Sequence, residues 1–160
     1  MVRPFAVRAL TSGERRLAEE AIGPSLALDR VRLLATPWPL IRAFVPGRWF
    51  GRDWIVWPRR QWVGDVADAP LRLQALLVHE LVHVWQAQRG INLLTGKLKA
   101  GDRPDSYRYP LDDVCDWNGL NIEQQAMFVE HQFRLSRGGT APATQAFYAR
   151  VCPLGRRSAD

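Results

Sequence analysis

The sequence predicts a single α+β domain, a short antiparallel sheet packed on a buried helix with a second helix laid against that helix. Three observations lead there. Residues 68–89 are apolar nearly all round at helical spacing. The stretches 29–34, 41–45 and 53–57 are short, strand-like and bounded by Pro and Gly. Asn121 with Gln124 offers a capped start to another helix. A chain of 160 residues, 47% of them hydrophobic, matches one ordinary domain over 1–160, large enough for a real core.

Taken in order, Thr11 and Glu14 form a capping-box pattern that opens a helix. Leu17, Ala18 and Ala21 repeat at helical spacing, and Gly23-Pro24 stops it. From Arg30 to Leu33 charged and apolar residues alternate, which predicts a half-exposed strand over 29–34. Residues 41–45 and 53–57 follow between Pro39, Pro46, Gly47, Gly51 and Pro58, and such short connections favour antiparallel pairing over crossovers. Asp68 can cap the central helix, Pro70 suits its first turn and Gly90 ends it after Arg89. Residues 91–120 lack periodicity and are expected to form a long loop, of the kind that is often functional. A helix from Asn121 through Phe133 ends near Gly138-Gly139, and a last short helix runs from Ala143 to Val151.

The formal charge is +6, carried almost wholly by arginine and spread along the chain. Nucleic-acid binding wants a concentrated basic stripe with interleaved aromatics. The nearest approach is Arg48-Trp49-Phe50 with Arg52, Trp54, Trp57, Arg59, Arg60 and Trp62, which also reads as a solvated face of arginine stems on tryptophans. Nucleic acid is not expected as a partner. Met1 to Leu10, with Arg3 and Arg8, has no secretory apolar run, and no stretch is long enough to span a bilayer. A soluble, cytoplasmically made protein without a membrane partner is the expectation. Cys115 and Cys152 are too few and too far apart for a cysteine-only metal site. Reduced thiols are expected there, with a disulfide as the alternative if the protein is exported.

Within the central helix stands His79-Glu80-Leu81-Val82-His83. Two imidazoles four residues apart share one helix face, with Cβ atoms roughly 5–6 Å apart, and can converge on one cation. Zinc chemistry that uses this spacing keeps the glutamate off the metal, as the base that takes a proton from water. One Zn2+ per chain held by His79 and His83, with Glu80 as general base, is therefore expected. The competing reading, two satisfied core histidines, leaves the Glu80 carboxylate unexplained in an apolar helix. A catalytic zinc wants a third protein ligand, and Glu123 in the next helix is the candidate, although a first-turn glutamate also complements the helix dipole. Glu130 lies two turns further on the same face. His131 points about 100° away from Glu130 and reads as an outer or surface residue. Asp112, Asp113 and Asp116 are explained by turns and caps.

Around these residues the sequence resembles the gluzincin branch of zinc metallopeptidases, whose third ligand is a downstream glutamate. A metzincin-like site would need Gly and His where Gln86 and Arg89 stand. Gly51-Arg52-Asp53-Trp54-Ile55-Val56-Trp57-Pro58 followed by His79 to Gln86 is similar to the metallopeptidase-like core domain associated with bacterial contractile injection systems. Leu10-Thr11-Ser12-Gly13-Glu14 and Ile122-Glu123-Gln124-Gln125-Ala126 resemble bacterial Vgr-related proteins. The resemblance implies a small zincin-like fold and peptide-bond hydrolysis, with a peptide or protein as substrate. It also implies an edge strand at 53–57 to which an extended substrate pairs. Where thermolysin-like members carry an acid four positions after the third ligand, this chain has Met127. Tyr107, Tyr109 or a loop arginine could supply the donor to a developing oxyanion. The alternative is a non-catalytic, metal-stabilised binding or assembly module of a secretion or injection apparatus, exported by that machine.

Overall fold

The computed structural model describes residues 5–155; the N-terminal stretch that includes Arg3 and the last five residues lie outside the described residues. One four-stranded sheet, ordered β1-β2-β4-β3, is built from β1 (Ala6–Ala9), β2 (Val31–Thr36), β3 (Phe44–Trp49) and β4 (Arg52–Pro58). The expected all-antiparallel sheet is corrected here. β1–β2 and β3–β4 are antiparallel, but β2 and β4 run parallel, from Val31 opposite Asp53 to Thr36 opposite Pro58. The segment 37–43 carries the chain past one strand position to the sheet edge. β3 runs back along that edge, and β4 returns into the gap.

This topology also corrects the expected edge strand at 53–57, because β4 lies between β2 and β3. Its consecutive buried residues Ile55, Val56 and Trp57 are the pattern of a strand covered on both faces. The edge strand beside β4 is β3, displaced from the expected 41–45. An outer strand tolerates Pro46 and Gly47, and the pairing with β4 shifts register between Phe44 and Gly47.

The described residues also form five α-helices: α1 (Ser12–Ala21), α2 (Leu71–Gln88), α3 (Leu93–Ala100), α4 (Ile122–Ser136) and α5 (Gln145–Val151). The capping boxes at Thr11/Glu14 and Asn121/Gln124 both form. Asp68 does not cap α2: it belongs to a 3₁₀ turn over 66–68, and Pro70 takes the cap position without a side-chain bond. The stretch expected as loop contains α3, capped by Asn92. α2 is buried without interruption from Leu77 to Gln86, since it packs on β3 and β4 on one side and along α4 on the other. None of the described helices is long and apolar enough to cross a membrane.

Candidate metal centre

Because α2 is covered on both sides, its polar residues are buried with the rest. His79, Glu80, His83 and Gln86 are all buried, as are Glu123 and Glu130 on the facing side of α4. Glu123 reaches α2 because the Asn121 cap starts α4 one residue before Ile122, leaving Glu123 in the first turn against the helix pair. Its Oε2 lies 3.2 Å from His83 Nε2 and 3.5 Å from His79 Nε2. One donor atom from each of the three residues falls within 4.8 Å of the others. Ligands on a tetrahedral zinc at about 2.05 Å are separated by about 3.3 Å, so the two measured spacings suit that ion.

Both outer ring nitrogens are tied back. His83 Nδ1 meets Gln86 Oε1 at 2.8 Å, and Gln86 Nε2 donates to Ile122 O and to Gln125 Oε1, each at 3.0 Å. Gln125 Nε2 in turn donates to Trp117 O at 3.2 Å. Backbone carbonyls only accept, so the direction of this relay is determined at its ends, and Gln86 Oε1 must accept from a protonated His83 Nδ1. His83 Nε2 is then left to face Glu123. His79 Nδ1 meets Glu130 Oε2 at 3.1 Å, and Arg134 holds the other Glu130 oxygen at 2.6 Å. Outer partners of this kind orient metal-binding histidines.

Two imidazole nitrogens facing one buried carboxylate favour a positive charge between them. Burial opposes charging His79, yet its contacts with Glu123 and Glu130 and the nearby Glu80 charge raise its pKa to about 10. Burial likewise works against the Glu123 anion, but the two histidines and Lys97 hold it well below the usual carboxylate range. A divalent ion satisfies the same demand. Glu80 adds an independent sign: its Oε2 is buried and has no hydrogen-bond partner. A carboxylate in that state awaits a donor, such as water at a metal. The residues therefore fit a bound zinc ion.

A cleft of about 350 Å³ opens over this cluster, walled by Arg42, Ala43 and Phe44 at the start of β3, and by Lys97, Asp102 and Tyr107. Lys97 Nζ is 3.9 Å from Glu123 Oε1. Burial and the Glu123 and Asp102 charges raise the Tyr107 pKa, so its phenol remains a donor at neutral pH. The other candidate tyrosine is not brought to the cleft. Tyr109 is buried, its hydroxyl 2.6 Å from His131 Nδ1 and 2.8 Å from the Tyr148 hydroxyl. Cys115 and Cys152 are both buried.

No protein-family model matches the chain. An alignment of 155 residues, taking in 89% of the chain, is 33% identical to the type VI secretion system spike protein VgrG2b of Pseudomonas aeruginosa PAO1. The solved effector domain of P. aeruginosa VgrG2b superposes with a TM-score of 0.67 at 28% identity, covering 91% of this chain and 81% of that domain. The chain is homologous to the VgrG2b effector domain. It spans 14% of the length of the VgrG2b spike protein, so the match concerns one domain of a much longer polypeptide.

Gln86 and Glu130 are the residues of this candidate centre that sequence reasoning left without a role. A signal for each was present. Gln86 is a polar residue three positions after His83 in an apolar helix, and Glu130 stands two turns beyond Glu123 on one face. Met127, at the position where an acid was missed, packs against the core, and Glu130 orients the first histidine instead. Arg42 and Asp102 carried no such signal, since loop geometry alone brings them to the cleft.

Proposed function

We propose that this chain is a zinc-dependent peptide-bond hydrolase that serves as an effector module of the type VI secretion kind. The observation that carries the reading is the convergence of His79, His83 and Glu123 beside a buried Glu80 oxygen that lacks a partner. His79, His83 and Glu123 would hold the zinc, which when bound supplies a Lewis acid that lowers the pKa of water and polarises a carbonyl. Glu80 takes the proton of the attacking water and passes it to the leaving amine. Tyr107 offers its hydroxyl to the oxygen that gains negative charge. An extended substrate lies along the outer side of β3, where Phe44 borders the cleft, and pairs with that edge.

The second reading is a non-catalytic module whose metal is structural. Likeness to the effector domain of a spike protein favours the secretion-associated part of that reading, and we carry it into the first as well: a secretion or injection apparatus is the proposed partner and export route. Elemental mass spectrometry of wild type and Glu123→Ala is expected to show one zinc per chain, lost or weakened in the variant. Glu80→Gln is expected to abolish hydrolysis of peptide substrates while zinc content and melting temperature hold. If zinc-loaded wild type cleaves no more than Glu80→Gln does across a diverse peptide library, the second reading replaces the first.

A further inference from the structure

At the end of the sheet where β3 turns into β4, the chain reads Arg48-Trp49-Phe50-Gly51-Arg52. Phe50 is 99% exposed and Trp49 58% exposed. Phe50 also takes a positive φ of 52°, followed by 70° at Gly51. A two-residue turn left-handed at both central positions suits Asn-Gly, and a bulky aromatic there is strained. Here a phenyl ring is held wholly in solvent at a conformational cost, without any packing gain inside the molecule.

The base of this tip is rigid. Buried Asp53 binds Arg48 at 2.9 Å and Gln88 at the end of α2 at 2.8 Å, with Arg30 at 3.7 Å. Two guanidiniums, those of Arg30 and Arg48, thus gather about one carboxylate, and with the exposed Arg52 beside the turn the tip is cationic. α3 starts beside the same end of α2, packs on β3, and presents Leu94 and Leu98, 72% and 77% exposed, next to the exposed Lys99.

Protruding aromatics and leucines with interspersed cations match the chemistry of an anionic phospholipid surface, which takes apolar side chains at the headgroup level and attracts Lys and Arg. We propose that the β3–β4 tip, supported by α3, docks this protein on an anionic bilayer. The contact is a surface contact without a span, and it departs from the sequence-based expectation of no membrane partner. It is independent of the metal.

The test is flotation of the full chain with vesicles of equal phosphatidylethanolamine and phosphatidylglycerol, against phosphatidylcholine vesicles, at low and high salt. Wild type is expected to float with the anionic vesicles only, and less at high salt. Trp49→Ser/Phe50→Asn is expected to lose binding by roughly tenfold or more. Its melting temperature should be unchanged or higher, because Asn relieves the turn, so loss of binding is separable from loss of fold. Leu94→Gln/Leu98→Gln is expected to weaken flotation as well. Equal flotation of wild type and the tip variant, equal binding to phosphatidylcholine, or no flotation even at low salt would overturn the proposal. Tip-dependent self-association in sedimentation without vesicle binding would overturn it in favour of a protein partner.

Discussion

The orientation of His83 is decided by an amide that touches no substrate. Gln86 can satisfy Ile122 O and Gln125 only by turning its own carbonyl oxygen toward His83 Nδ1, which leaves Nε2 for the metal. Gln86→Leu removes that support and leaves the buried His83 Nδ1–H without its acceptor. Zinc affinity is expected to fall about 10–100-fold, read by competition with a chromophoric chelator. Glu130→Gln keeps an acceptor for His79 Nδ1 and should cost less. A loss in Glu130→Gln equal to that in Gln86→Leu would count against orientation as the cause.

Among the elements, α1 illustrates a cap put to further use. Glu14 is fully buried, closes the Thr11 box, receives Val66 N at 2.9 Å, and binds Arg8 of β1 at 2.6 Å. One carboxylate thereby joins strand, helix and the turn that leads into α2. Removing one partner of a buried ion pair leaves an uncompensated charge, so Glu14→Ala is expected to destabilise by about 3–5 kcal/mol in urea unfolding. α4 has a cap with a smaller structural share and a larger functional one. Asn121→Ala should cost about 1 kcal/mol of stability, and it should weaken zinc binding because the frayed turn is the one that carries Glu123. α3 escaped the pattern of the sequence because Gly96 interrupts it. A Cβ at that position would lie 2.7 Å from Ile122 Cδ1, so the glycine permits α3 to approach α4, which is visible only once both helices are in place.

For the whole molecule, the metal centre makes stability depend on pH in opposite senses with and without metal. In the chelated protein His79 is raised from 6.5 to about 10. Its contribution to stability is fully present below pH 6.5 and is lost as pH rises through about 10. Glu123 is depressed from 4.5, so its part is present above that value and lost as pH falls. The two belong largely to one interaction, and the chelated protein is expected to be favoured by it between pH 4.5 and 6.5. A bound metal replaces the proton, and proton competition weakens as pH rises. The stabilisation by zinc, about 2.7 kcal/mol at 100 times Kd, should therefore widen between pH 6.5 and 9 in paired thermal melts. A chelated protein whose melting temperature stays level over that range would contradict the charge assignment at His79.

The sequence by itself determined what local chemistry encodes: both capping boxes, the boundaries of α1 and α4 within a few residues, the buried character of α2, and the shared face of His79 and His83. It also contained Glu123 as a candidate, since helical spacing and a start signal are properties of neighbours along the chain. Only the tertiary structure decided the parallel pairing of β2 with β4, the interior place of β4, and the approach of α3. It likewise separated Tyr107, on the cleft wall, from Tyr109, bonded into a buried tyrosine–histidine cluster. Each of these depends on contacts between residues far apart in sequence, where the deciding terms are strand order, close approach and burial. No short window of residues contains those terms, and they exist only when the sheet, α2 and α4 are packed together.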